Sequence, residues 1–398
     1  MESKIEEMLI VISPDEFKLR VLKVTDQMSE AGLDAVLISD LANLYYLTGR
    51  VFCGNILLQA NGDHTFFLRR PSTLKGDNII CYRKVEEVCE NVESSLKKGS
   101  VLGLPFDELS YSEVLRYQAA LPDLRTENAS PVMRRARAVK TAVEIHKMEM
   151  SGLKQAQVYR EIPHLYHEGM TDIEFQIEIE RSLRLGGCLG LFRTSGNQME
   201  IFMGNVLTGQ NADTPSPYDF AMGGEGMDTS IPVGANGGMI LPGHPVMVDM
   251  NGNFTGYMTD MTRCYIDGEV PELARKANDL SKAICEAVAD RMRPGVEAKA
   301  LYNLAHDMVK EAEMENYFMG HRHHAGFIGH GVGITINELP VLAPRSRDII
   351  QAFNTVALEP KFVLPGLGAV GVENTYVVQP DGPARCITVL NEDIESLT

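Results

Sequence analysis

Residues 248–263, VDMNGNFTGYMTDMTR, set two aspartates eleven positions apart in a stretch otherwise rich in Val, Met, Phe and Tyr. Asn251–Gly252, flanked by apolar runs, is a strong signal for a tight hairpin turn. A hairpin there places Asp249 and Asp260 on neighbouring antiparallel strands, within reach of each other. Two like charges on a half-buried sheet repel, and burial costs each its solvation. The fold must therefore bring a cation, a shared proton or basic partners to the same place.

Polar groups interrupt apolar runs at three further positions: His330 in IGHGVG, Glu359 in VALEPKF and Glu373 in VGVENTYVV. Four carboxylates and one imidazole, each in a strand-like run, suit a pair of divalent cations. Carboxylates bridge and neutralise such ions, and the imidazole caps one of them. Oxygen-rich ligation with one nitrogen and no thiolate favours manganese, cobalt, iron or zinc over a structural zinc site. Taken singly, each residue has a plainer role. Asp249 suits a turn, Asp260 a cap or a pair with Arg263, His330 a packing role, and Glu359 and Glu373 the ends of strands. It is the five in this order that argue for metal.

A chain of 398 residues predicts two domains. A formal net charge of −17 argues against nucleic acid or an anionic membrane as partner. No apolar run is long enough to span a bilayer, and the acidic N-terminus is not a signal peptide. Seven scattered cysteines without a CxxC pair read as reduced thiols in a cytoplasmic protein.

Strands alternating with helices over residues 1–135 predict a compact α/β domain, and grouped helices and strands over 140–398 predict an α+β domain. The basic stretch MRRARAVK, with Arg134, Arg135, Arg137 and Lys140, opens a predicted long helix. It reads as a solvated face at the domain boundary, with an anion site as the alternative. Residues 188–243, rich in Gly, Asn, Asp and Pro, form a long loop of the kind that lines a site.

The order Asp, a second Asp eleven positions on, then GHGVG, LEP and GVEN resembles the pita-bread metallopeptidases. LDAVLISDLANLYYLTGR is similar to the N-terminal domain of their aminopeptidase P, prolidase and creatinase branch, and RARAVKTAVEI resembles the entry into the catalytic domain. The resemblance covers nearly the whole chain. It implies an α/β creatinase-like N-terminal domain and an α+β pita-bread (creatinase/aminopeptidase-like) catalytic domain. It also implies a dinuclear centre held by Asp249, Asp260, His330, Glu359 and Glu373. A metal-bridging water would attack the scissile carbonyl, with Glu359 as proton shuttle. The substrate class implied is a small peptide or amide, most simply with proline in the second position, and the assembly a homodimer. The alternatives on the same scaffold are creatine hydrolysis without metal, metal-dependent lyase chemistry, or a metal-retaining protein with weak turnover.

Three departures bear on the substrate pocket. The family's SGxNxxxPH is here TGQNADTPS, ending at Ser216. A second pocket histidine is replaced by Asn337, and an arginine two before the last glutamate by Gly371. Ser216 and Asn337 are thus expected to contact substrate in place of histidines. In MGHRHHAGF, His321, His323 and His324 read as loop histidines, with His324 the one expected to be recruited to substrate. Lys361, two after Glu359, is either a strand-end lysine or a source of positive charge in the pocket. Arg193 and Tyr218 are further pocket candidates.

Overall fold

The computed structural model describes residues 7–195, 200–218 and 223–398. It divides into two compact units, Met1–Arg137 and Ala138–Thr398.

The first unit is built on a six-stranded sheet. Its strands run in the order Ile79–Cys81, His64–Arg70, Cys53–Gln59, Ala35–Ile38, Val101–Leu104, Arg125–Asn128. Ala35–Ile38 pairs in parallel with Val101–Leu104 and antiparallel with Cys53–Gln59, so the sheet is mixed. Leu37, Leu57, Phe67, Leu102 and Leu104 bury one face with Val88 and Val92 of the Val85–Ser95 helix. The opening helix, Pro14–Ala31, begins where the Ser13 side chain accepts from the Glu16 amide, with Pro at the first turn, and ends at Gly32 in the left-handed region.

Among the described residues, the second unit holds three sheets. One has four strands, in the order Glu395–Ser396, Met258–Ile266, Pro245–Asn253, Gly204–Thr208. Another has five, in the order Glu338–Leu342, Gly329–Gly331, Thr355–Leu358, Asn374–Val377, Arg385–Cys386. Lys361–Leu364 and Gly368–Gly371 pair as a separate hairpin. Helices Glu272–Arg291 and Ala298–Glu311 bury Ala277, Ile284, Val288, Leu301 and Ala305 in one core with Val356, Leu358 and Phe362. Helices Ala142–Tyr159 and Asp172–Leu185 close a second core around Val248, Met250 and Met261.

Two expectations change. The hairpin carrying Asp249 and Asp260 does not turn at Asn251–Gly252, because the Pro245–Asn253 strand runs through both. The turn falls at Thr255–Gly256, where Gly256 takes φ 84°. Gly252 serves close packing instead: a Cβ there would come 2.3 Å from Gln155 Oε1. The predicted long helix is two, Ser130–Ala138 and Ala142–Tyr159, the second capped by Thr141. Nor is its basic stretch a solvated face throughout. Arg137 and Lys140 are buried, with Arg137 Nη1 donating to Asn43 Oδ1 at 2.6 Å and Lys140 Nζ to Glu338 Oε2 at 2.7 Å.

Arg263, on the face of its strand away from Asp260, ties the second unit together. Its guanidinium donates to the carbonyls of Thr262, Glu373, Thr388 and Asn391 and to Asn374 Oδ1. Replacing it leaves several buried acceptors unmet, at about 1–3 kcal/mol each. Arg263→Leu is expected to lower the unfolding free energy by at least ~3 kcal/mol, read as a lower denaturant midpoint at unchanged slope. A midpoint equal to wild type contradicts the anchoring role.

Candidate metal centre

Backbone geometry assembles the five polar interruptions at one place. In the hairpin, Asp249 pairs with Thr262 and Asn251 with Asp260. Paired residues of an antiparallel ladder project to one face, so the two aspartates are diagonal neighbours on it. His330 sits on the Gly329–Gly331 strand opposite Ala357. Glu359 and Glu373 each stand where one strand gives way to the next. The Thr355–Leu358 strand stops before Glu359–Pro360, where proline has no N–H for a ladder. The Asn374–Val377 strand starts just after Glu373, and Leu358 pairs with Asn374, which sets the glutamates side by side. Backbone hydrogen bonds of 3.4 and 3.3 Å between Thr262 and Glu373 join the four-stranded sheet to this edge.

The Lys361 side chain enters the cluster. Its ammonium lies 2.8 Å from Asp249 Oδ2, 2.8 Å from Glu359 Oε2 and 2.9 Å from Glu373 Oε2, and the side chain is 1% exposed. Burial alone would lower the lysine pKa, but the carboxylates of Asp249, Glu359 and Glu373 outweigh it and hold the group charged. Burial likewise raises Glu359, yet Lys361 and His330 outweigh it, keeping the carboxyl well below its usual range.

At Asp260 the Lys361 charge is outweighed. Burial first, then the Glu373 and Asp249 carboxylates, push its pKa well above the ordinary value. Burial also pushes Glu373 up to about 8, against the pull of Lys361. Glu373 Oε2 accepts from Lys361 and Thr262, while its Oε1 is buried without a hydrogen-bond partner. His330 Nδ1 is 3.0 Å from the Gly331 carbonyl, and its Nε2 is 3.3 Å from Glu359 Oε1. One donor atom from each of Asp260, His330 and Glu373 lies within 4.8 Å of the other two. An imidazole nitrogen, two carboxylates and an orphaned buried oxygen fit a divalent cation.

The predicted substrate residues fall in three places. Lys361 belongs to the carboxylate cluster. Ser216 and His324 share a cavity of about 400 Å³ with Tyr218, His321, His323 and Val363, and none of the five expected ligands lines it. The His324 Nδ1 is 2.8 Å from the Phe318 carbonyl. Asn337 is exposed and grips the backbone of Ser195, its Oδ1 accepting from the amide at 2.7 Å and its Nδ2 donating to the carbonyl at 3.0 Å. Arg193 lies on the same segment, its carbonyl accepting from Ile336 N.

Sequence reasoning missed three supporting residues. Thr262 Oγ1 fixes Glu373, and Thr375 Oγ1 both accepts from the Asp260 amide and donates to its carbonyl. Alternation along TDMTR places Thr262 on the Asp260 face and was the available signal for it. Asp213, which accepts from Arg322 and pairs with His321, carried no such signal.

Comparison with known proteins agrees with this architecture. Residues 146–380 match the model of metallopeptidase family M24, and residues 20–139 that of the creatinase/prolidase N-terminal domain. The chain belongs to metallopeptidase family M24, which places it among the metallopeptidase hydrolases with a pita-bread fold. It is 24% identical to the Xaa-Pro dipeptidase of Pyrococcus furiosus over 92% of this chain and 97% of that one. The prolidase of Pyrococcus horikoshii OT3 superposes with a TM-score of 0.77 at 20% identity, covering 94% of this chain and 99% of that one. An Xaa-Pro dipeptidase from Bacillus anthracis gives 0.78 at 22% identity, covering 95% and 99%. Among the described residues, no helix is long and apolar enough to cross a membrane.

Without metal, the raised pKa of Asp260 favours its neutral form in the fold. The stability this proton contributes is present below the ordinary carboxylate pKa and is lost as pH rises through the raised value. Asp260→Asn is therefore expected to raise the melting temperature of chelator-treated protein at mildly alkaline pH by ~2–4 °C. Added manganese should raise the melting temperature of wild type and not that of the variant. A variant that melts below wild type without metal contradicts the electrostatic assignment of Asp260.

Proposed function

We propose that the protein is a metal-dependent peptidase of the aminopeptidase P or prolidase type, hydrolysing small peptides with proline in the second position. The observation that carries this is the convergence of Asp260, His330 and Glu373, with Glu373 Oε1 buried and without a hydrogen-bond partner. Membership of a metallopeptidase family and likeness to Xaa-Pro dipeptidases support it. Residues 140–398 form the catalytic domain and 1–135 the creatinase-like domain, in a homodimer.

Asp260, His330 and Glu373 hold the cation, manganese, cobalt or zinc, with iron also suited to the donor set. Bound there, the ion supplies Lewis acidity toward the scissile carbonyl and makes the attacking water more acidic. Glu359, kept ionised by Lys361 and His330, accepts the water proton and returns it to the leaving nitrogen. Lys361 fixes the direction of Glu359, so the base is aimed before substrate arrives. The cavity of Ser216 and His324 offers hydroxyl and imidazole groups for the body of the peptide.

A second reading, hydrolysis of another small amide, draws on Ser216 and Asn337 standing where relatives carry histidines. The Asn337 amide is already engaged with Ser195. An assay of Xaa-Pro dipeptides, Xaa-Pro tripeptides and creatine, each with manganese, cobalt or zinc, separates the two. Metal-dependent release of the residue before proline is expected. Glu359→Gln should lose about 10²–10⁴-fold in kcat while still binding metal. Turnover of the amide alone favours the second reading, and no turnover of any substrate contradicts both.

A further inference from the structure

We infer that Lys361 takes the place of a second divalent cation, so that the centre holds one metal ion and one ammonium where its five-residue pattern implies two metal ions. This rests on the reading of Asp260, His330 and Glu373 as ligands of the first.

The geometry is specific. A lysine ammonium has three donors, and here the three nearest acceptors are carboxylate oxygens of Asp249, Glu359 and Glu373, at 2.8, 2.8 and 2.9 Å. A divalent ion shared by the same three carboxylates would lie about 2.0–2.2 Å from each oxygen. The ammonium nitrogen occupies the space among those three oxygens that such an ion would need. The two cannot coexist there, sterically or electrostatically.

Nothing in the surroundings lets the lysine leave at low cost. The side chain is 1% exposed, so withdrawing its head from the carboxylates strands a buried charge. Its backbone is clamped on one side by Met319, whose amide donates to the Lys361 carbonyl at 2.8 Å, and on the other by its pairing with Gly371. Gly371 is matched to this lysine. A Cβ at that position would come 2.9 Å from the Lys361 Cα and 3.2 Å from its Cγ. The hairpin thus omits a side chain where the lysine stem passes.

The carboxylates divide accordingly. Asp249 and Glu359 give an oxygen each to the ammonium, and Glu373 gives Oε2. Asp260 makes no pair with Lys361, and Glu373 Oε1 is left without a partner. Among the described residues, Glu373 Oε1 is thus the one buried carboxylate oxygen without a hydrogen bond, and it belongs to a residue grouped with Asp260 and His330, a donor set that suits a single ion.

Metal counting on wild-type protein tests this without reference to turnover. Chelator-treated protein is titrated calorimetrically with manganese, and bound metal is measured after gel filtration. One equivalent per chain is expected, with the electron paramagnetic resonance of an isolated manganese ion. Asp260→Ala should lose that equivalent, whereas Asp249→Asn should keep it. Lys361→Gly should gain a second equivalent and show exchange coupling between the ions. If that variant does not fold, wild type and Asp249→Asn decide the matter. Two equivalents in wild type, with one lost in Asp249→Asn, overturn the inference and leave the peptidase reading standing. A folded Lys361→Gly that still binds one equivalent also overturns it. No bound metal overturns both.

Discussion

Everything at this site depends on four carboxylates being held together in a buried place. Asp249 and Asp260 come from one sheet and Glu359 and Glu373 from the edge of another, and each would repel the others if left alone. The Lys361 ammonium relieves three of them through direct hydrogen bonds. What it leaves unrelieved is Asp260 and one oxygen of Glu373, beside His330, whose Nε2 lies 3.3 Å from Glu359 Oε1. The chain itself thus supplies part of the compensation, and on the proposed reading a cation from solution supplies the rest.

The fold achieves this by changing sheets at the functional residues. The chain leaves the five-stranded sheet at Glu359, makes the Lys361–Gly371 hairpin, and returns at Glu373. That excursion puts two glutamates at one sheet edge and threads a lysine between them. Arg263 secures the edge from behind by binding the Glu373 carbonyl and Asn374, and Thr262 fixes the Glu373 carboxylate from the front. The supporting charge and the functional charges sit on opposite faces of one strand.

Much of this was legible in the sequence, and the limits have physical causes. Period-two alternation marked the strands, and polar residues inside apolar runs marked Asp249, Asp260, His330, Glu359 and Glu373. The turn was misplaced because Asn251–Gly252 is a hairpin signal only when nothing needs the space. Here Gln155, almost a hundred residues earlier, occupies the volume a side chain would take. Arg137 and Lys140 looked solvated because their partners, Asn43 and Glu338, are distant in sequence. Lys361 was the hardest to place. A lysine in KFVL can snorkel outward or turn inward with equal ease, and only the pairing with Gly371 shows which.

The inferred single-ion centre keeps the five-residue pattern and sets a fixed organic cation within it, with a lysine-oriented glutamate beside one metal ion. It is a claim about where ions sit. Anomalous diffraction at the manganese edge, from crystals grown with excess manganese, tests it most directly. The account predicts one anomalous peak per chain, bounded by Asp260, His330 and Glu373, with Lys361 Nζ still among Asp249, Glu359 and Glu373. Two peaks, the second between Asp249 and Glu359 with the lysine displaced, would contradict it.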